Sequence, residues 1–173
     1  TLEDPIEYRY VSKKSLIHQR EVGRDTASFA IGLRSVLRQD PDVILVGELR
    51  DKETIAAALT AAETGHLVFA TLHTNDSTGA VNRIFDSFDE GRQLIRSQLA
   101  EVLQAIVCQE LLPKVVGKGR VANFEVLIAT PALRSLIREG RTHQIASYLT
   151  TGKQQGMLTK EEHRNKLQEK GLI

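Results

Sequence analysis

Asp42-Val43-Ile44-Leu45-Val46-Gly47-Glu48 is a run of apolar, mostly β-branched residues that ends abruptly on an acid. So uniform a run reads as a strand buried on both faces in a parallel sheet, and such sheets bind ligands beyond the carboxyl ends of their strands. Glu48 falls at that rim. The following turn, Asp51-Lys52-Glu53-Thr54, carries its own helix cap in Asp51, which leaves Glu48 for another task. A metal-bound nucleotide is the obvious object. A solvated charge at a strand-to-helix turn is the plainer alternative, so the neighbouring segments must decide between them.

Outward from this strand the elements alternate. Thr1-Leu2 reads as the tail of a strand that stops at Asp4-Pro5, because proline cannot continue a central ladder. Residues 15–22 read as a short strand, and Phe29, Leu33, Val36 and Leu37 predict a helix over 28–38. An alanine-rich helix over 51–63 breaks at Gly65, and a second buried strand runs from Leu67 to Leu72. Asn75-Asp76-Ser77 then caps a helix through Phe88, and Ile95, Leu99, Val102 and Ile106 predict another over 90–108. Two strands are expected near 109–115 and 120–128, separated by Gly117-Lys118-Gly119. Thr130-Pro131 opens a helix closed by Gly140, and two shorter helices follow, one near 143–150 and one begun by the capping box Thr159/Glu162. The fold class is therefore α/β, a partial, mostly parallel sheet flanked by helices. A core domain over 1–129 and a helical appendage over 130–173 are expected.

With 173 residues, 41% hydrophobic and 26% charged, the chain can bury one core of useful size. No apolar run approaches the ~20 residues that cross a bilayer, and Thr1-Leu2-Glu3-Asp4-Pro5 lacks both the basic start and the apolar stretch of a signal peptide. The single Cys108 excludes an internal disulfide and a cysteine-rich zinc site, so a cytoplasmic location is expected. Net charge is +1, but residues 1–112 carry −5 and residues 113–173 carry +6. The basic tail has only Phe124 and Tyr148 for base stacking; solvated helix faces or an acidic neighbouring subunit are its expected surroundings, and no nucleic-acid partner is expected.

Two further clusters bear on chemistry. His66 and His73 flank one strand, and seven residues at ~3.3 Å each set them roughly 23 Å apart, too far to share one metal ion or phosphate. His73 falls on the same rim as Glu48, where an imidazole can donate to a phosphate oxygen; His66, at the opposite end, suits a structural role. Leu2-Glu3-Asp4-Pro5-Ile6-Glu7-Tyr8 packs three carboxylates into five residues, either a solvated acidic turn or a site that needs a cation. A magnesium nucleotide would supply that cation, and a carboxylate outside the metal's reach could take a proton from water.

Together and in this order these segments resemble the secretion-ATPase superfamily that powers type II secretion and type IV pili. Residues 2–8 resemble its Asp box, 43–51 its Walker B segment and 64–74 its His box. The resemblance implies a RecA-like P-loop NTPase core with a C-terminal helical appendage, and ATP and Mg2+ as substrate and cofactor. It implies that Glu7 is the general base, that Glu48 holds Mg2+ through its water shell, that His73 senses the γ-phosphate, and that His66 belongs to the nucleotide-binding His box. It also implies a homohexamer at the cytoplasmic face of the inner membrane, docked on a platform protein of the pilus machinery. Ala132-Leu133-Arg134-Ser135-Leu136-Ile137 resembles a motif of the retraction branch, from which Leu133 and Ser135 depart; packing of its apolar face is an equally good reading. A lone cysteine cannot build the four-cysteine zinc site of the assembly branch.

One motif of the superfamily is missing: no GxxxxGK[ST] occurs, and Thr151-Gly152-Lys153-Gln154 lacks its earlier glycine and its final hydroxyl. The expectation is a carboxyl-terminal portion of a hexameric motor ATPase that drives pilus retraction, weak in ATP binding by itself because loop amides and the loop lysine grip the phosphates. A type II secretion or pilus-assembly ATPase, a RecA-type nucleic-acid motor and a non-catalytic regulatory paralogue are the alternatives.

Overall fold

A computed structural model describes residues 1–173, which divide into two compact units, Thr1–Leu72 and His73–Ile173. The first is a four-stranded, wholly parallel sheet in the order β2-β1-β3-β4, built from β1 (Leu2–Glu3), β2 (Arg20–Glu21), β3 (Val43–Val46) and β4 (Leu67–Ala70). Its helices are α1 (Phe29–Val36) and α2 (Lys52–Glu63). Local chemistry starts both: the Ser28 side chain accepts from Ile31 N, and that of Asp51 from Thr54 N at 2.7 Å.

Leu2, Phe29, Leu33, Ile44, Val46, Ala58 and Ala61 form the core of this unit. Burial on both faces of β3 does not hold. Ile44 and Val46 are buried, whereas Val43 and its register partner Leu67 stay exposed, as does Phe69 opposite Leu45. The helices of this unit pack on the Ile44/Val46 side only, which explains the asymmetry. The strand expected over 15–22 pairs only at Arg20 and Glu21, because β1 offers it just Leu2 and Glu3.

The second unit pairs a helical layer with an antiparallel hairpin. Its elements are α3 (Ser77–Asp86), α4 (Arg92–Val102), β5 (Ala105–Pro113), β6 (Arg120–Ile128), α5 (Pro131–Arg138), α6 (Ile145–Thr151) and α7 (Lys160–Glu169), with single 3-10 turns before and after α6. The periodicity predicts one helix over 90–108; α4 in fact stops at Val102, and Ile106 lies in β5. Leu103 turns to an extended ψ of 131°, Ala129 N bonds Gln104 O, and nine register pairs then run from Ala105↔Ile128 to Pro113↔Arg120. A ladder of β-branched pairs such as Val107↔Val126 overrides the helical spacing that Val102 and Ile106 share.

The hairpin pairs only with itself and belongs to the second unit. In the segment resembling a retraction motif, Leu133 and Ile137 are fully buried and Arg134 Nη1 donates to Ala100 O at 2.7 Å and also to Glu101 O. These contacts close the carboxyl end of α4, as a basic side chain there should.

Candidate functional site

The rim of the parallel sheet is built by backbone before any side chain acts. Gly47 N donates to Leu2 O at 2.7 Å, Leu49 N donates to Thr71 O at 3.0 Å, and Thr71 Oγ1 donates to Gly47 O. The carboxyl ends of β1, β3 and β4 are thereby tied at one point. A Cβ on Gly47 would stand 3.2 Å from Leu2 O and 3.3 Å from Glu3 Cα, both backbone atoms, so a side chain here would press the neighbouring strand away by a few tenths of an ångström.

Asp4 and Glu48, 44 positions apart in sequence, meet at this rim through one guanidinium. Arg50 Nη2 lies 2.6 Å from Glu48 Oε1, and Nη1 lies 3.2 Å from Asp4 Oδ2. Parallel pairing of β1 with β3 makes this possible, since it brings both strand exits to the same edge. Glu48 is thus not uncommitted, as the sequence suggested: Asp51 does cap α2, but Arg50 engages Glu48. The hydrogen bond from Arg50 to Glu48, followed by the charge of Glu48, raises the guanidinium pKa above its ordinary value. Arg50 is itself exposed, and exposed ion pairs are weak and screened by salt, so a stronger cation can displace it. Arg50 carries no role in the sequence reading, although a cation two residues beyond a rim acid is a recognisable signal.

Glu7 lies in the exposed connection between β1 and β2. The backbone on both sides of it is pinned. Ile6 N donates to Glu21 Oε2 at 3.0 Å, and Gln19 Nε2 donates to Tyr8 O at 2.8 Å and to Glu3 Oε1 at 3.0 Å. Gln19 also accepts from Tyr10 N at 2.8 Å. The carboxylate of Glu7 therefore extends into solvent from a held backbone.

His66 precedes β4 at the end of the strand opposite that rim, beside the Leu67 N to Asp42 O bond. Its Nδ1 is 2.9 Å from Ala61 O, an oxygen that can only accept, so Nδ1 carries the hydrogen and closes the end of α2. His73 opens the second unit, and its imidazole is exposed. Three residues later the Asp76 side chain caps α3 by accepting from Gly79 N at 2.6 Å.

Beneath that cap lies a carboxylate that sequence reading missed. Glu125 of β6 is only 8% exposed, and its Oε1 accepts from Ser77 N at 2.8 Å and from Ser77 Oγ at 2.6 Å. Nothing local in the sequence signals a pair 48 residues apart. Cys108 lies alongside, with Sγ 3.8 Å from Ser77 Oγ; burial above all pushes its thiol pKa up, which makes it a poor nucleophile.

No cluster of three or more His, Cys, Asp or Glu side chains is arranged to enclose a metal ion. A half-buried carboxylate at a sheet rim matches instead the habit of Mg2+, which keeps most of its waters and takes its remaining ligands from one or two acids and from phosphate oxygens.

Comparison with known proteins gives the family of the chain. The profile of the type II/IV secretion system protein family matches residues 1–170. The chain is 56% identical over its whole length to 46% of a twitching motility protein from Neisseria gonorrhoeae, and 53% identical over its whole length to 50% of the type IV pilus retraction ATPase PilT of Pseudomonas aeruginosa. The chain thus spans about half the length of the curated relatives it matches. A crystal structure of the pilus retraction motor PilT with bound ADP superposes with a TM-score of 0.79 at 49% identity, covering 94% of this chain and 50% of that one. The fold is accordingly that of a RecA-like P-loop ATPase core.

Proposed function

This chain belongs to the type II/IV secretion system protein family, and from that premise we propose that it is the carboxyl-terminal part of a motor ATPase that retracts type IV pili. The observation that carries the proposal is the likeness across the entire chain, at more than half identity, to a retraction ATPase and a twitching motility protein. The rim supports it chemically: Asp4 and Glu48 form an anionic pair at the carboxyl edge of a parallel sheet, held by an exposed and displaceable guanidinium.

In the proposed reaction water attacks the γ-phosphorus of ATP, the bond to the ADP oxygen breaks, and the water proton passes to the Glu7 carboxylate. Glu48 would hold a magnesium ion there, with the exposed Arg50 guanidinium, now on Glu48, giving way to it. Magnesium, when bound, neutralises phosphate charge and polarises the phosphoryl oxygens. His73 donates a hydrogen bond to the γ-phosphate and so reports its presence. His66 has no step; its Nδ1 closes α2. A homohexamer at the cytoplasmic face of the inner membrane, working on a membrane platform protein, completes the proposal. No helix of this chain is long and apolar enough to cross a membrane.

The test is ATP turnover by the full-length protein carrying Glu7→Gln or Glu48→Gln. Each change should lower kcat by about a hundredfold or more while leaving the melting curve in place, the scale expected for loss of a general base or a metal-holding acid. Near-normal turnover in both variants would remove the site assignment.

A further inference from the structure

The backbone immediately beyond His73 is held at two points by parts of the chain remote in sequence, and both lie within the second unit. Ser77, the first residue of α3, gives its N–H and its hydroxyl to the same oxygen of buried Glu125 on β6. Two residues earlier, Asn75 O accepts from Lys160 Nζ, the first residue of α7. Helix α7 is in turn fixed to β6. Val126 and Leu158 exchange backbone bonds at 2.8 and 2.9 Å, Phe124 N donates to His163 Nδ1 at 2.9 Å, and Asn123 Nδ2 donates to Lys160 O at 3.2 Å.

The chemistry of Glu125 is out of proportion to a mere helix cap. Asp76 already caps α3, and burying a carboxylate carries a desolvation cost that only good partners offset. What the second acid adds is fixation: two charge-assisted bonds onto one residue define both the position and the orientation of the helix start. With Asn75 and Ser77 held, only Thr74 separates His73 from the clamp.

We propose that Glu125 and Lys160 are positioning residues that clamp Asn75–Ser77 and thereby set where the His73 imidazole stands relative to the γ-phosphate. This inference rests on the reading of His73 as a phosphate contact. It makes α7, at the far end of the chain, part of the apparatus of turnover.

The test is steady-state ATP turnover by the full-length protein, with kcat and KM determined separately, for Glu125→Gln, Lys160→Met, Lys160→Arg, His73→Ala and the doubles His73→Ala/Glu125→Gln and His73→Ala/Lys160→Met. Lys160→Met should lower kcat about tenfold with KM for ATP within about threefold, because a displaced catalytic contact slows chemistry more than binding. Lys160→Arg should recover most of the loss. Adding either clamp change to His73→Ala should cost little more, since both act through the same imidazole. Should Glu125→Gln fail to fold, the half-buried Lys160 carries the test. Wild-type kcat in Lys160→Met, or losses that multiply with that of His73→Ala, would overturn the clamp while leaving His73 in its role. Normal turnover in His73→Ala would instead remove the reading of His73 itself, and the clamp with it.

Discussion

The two compact units each hold a carboxylate in a key place, and they do so by opposite means. At the sheet rim of the first unit, Glu48 and Asp4 share the exposed guanidinium of Arg50. In the second unit, Glu125 is buried and satisfied by an N–H and a hydroxyl of Ser77. The first arrangement is labile, because exposed ion pairs gain little and exchange readily with solvent cations. The second is permanent, because removing either partner strands a polar group away from water. A site that must exchange cations is built the first way, and the frame that holds a contact steady is built the second.

The contrast is broken most severely at Glu125. Glu125→Leu leaves the Ser77 N–H and hydroxyl without an acceptor, and should lower stability by about 1–3 kcal/mol in a denaturant titration. Arg50→Met should behave differently: the melting temperature stays where it was, while full-length protein reaches half-maximal turnover at a lower Mg2+ concentration because the competing cation is gone. A loss of stability at Arg50 as large as that at Glu125 would erase the distinction between the two settings.

The smallest effect is expected at Glu162 of α7. Its carboxylate bonds the Thr159 backbone N–H at 3.2 Å, and this bond, aided by the Thr159 hydroxyl and nearby lysines, lowers its pKa below the ordinary 4.5. The folded state therefore favours the ionised form. Its stabilisation is present above the unfolded pKa and fades as pH falls through the lower, folded one. The melting difference between wild type and Glu162→Gln should accordingly be visible at neutral pH and shrink between about pH 5 and pH 3. A difference constant across that range would mean that the capping box does not depend on the charge.

What could be read from sequence was what is local. The caps at Asp51, Asp76, Thr130 and Thr159 all act as their residue types and spacing suggest, since each bonds a backbone N–H three residues on. The parallel sheet followed from two short apolar runs, whereas the Arg50 bridge between Asp4 and Glu48 was not legible in them. Where two structures share one periodicity, local signal failed: Val102 and Ile106 fit a helical stripe, but the partner strand that claims Ile106 lies 21 residues further on, at Leu127. Glu125 and Lys160 were invisible for the same reason at greater range. Their partners Ser77 and Asn75 lie 48 and 85 residues away, and only the fold brings them together.

Whether Glu7, Glu48 and His73 act on one nucleotide, as proposed, is decided by a crystal structure of the full-length protein with Mg2+ and a non-hydrolysable ATP analogue. In that structure Arg50 should have left Glu48, a water should link Glu48 to the cation, and Glu7 and His73 should face the γ-phosphate. A bound nucleotide with Arg50 still on Glu48 and with Glu7 and His73 turned to bulk solvent would contradict it.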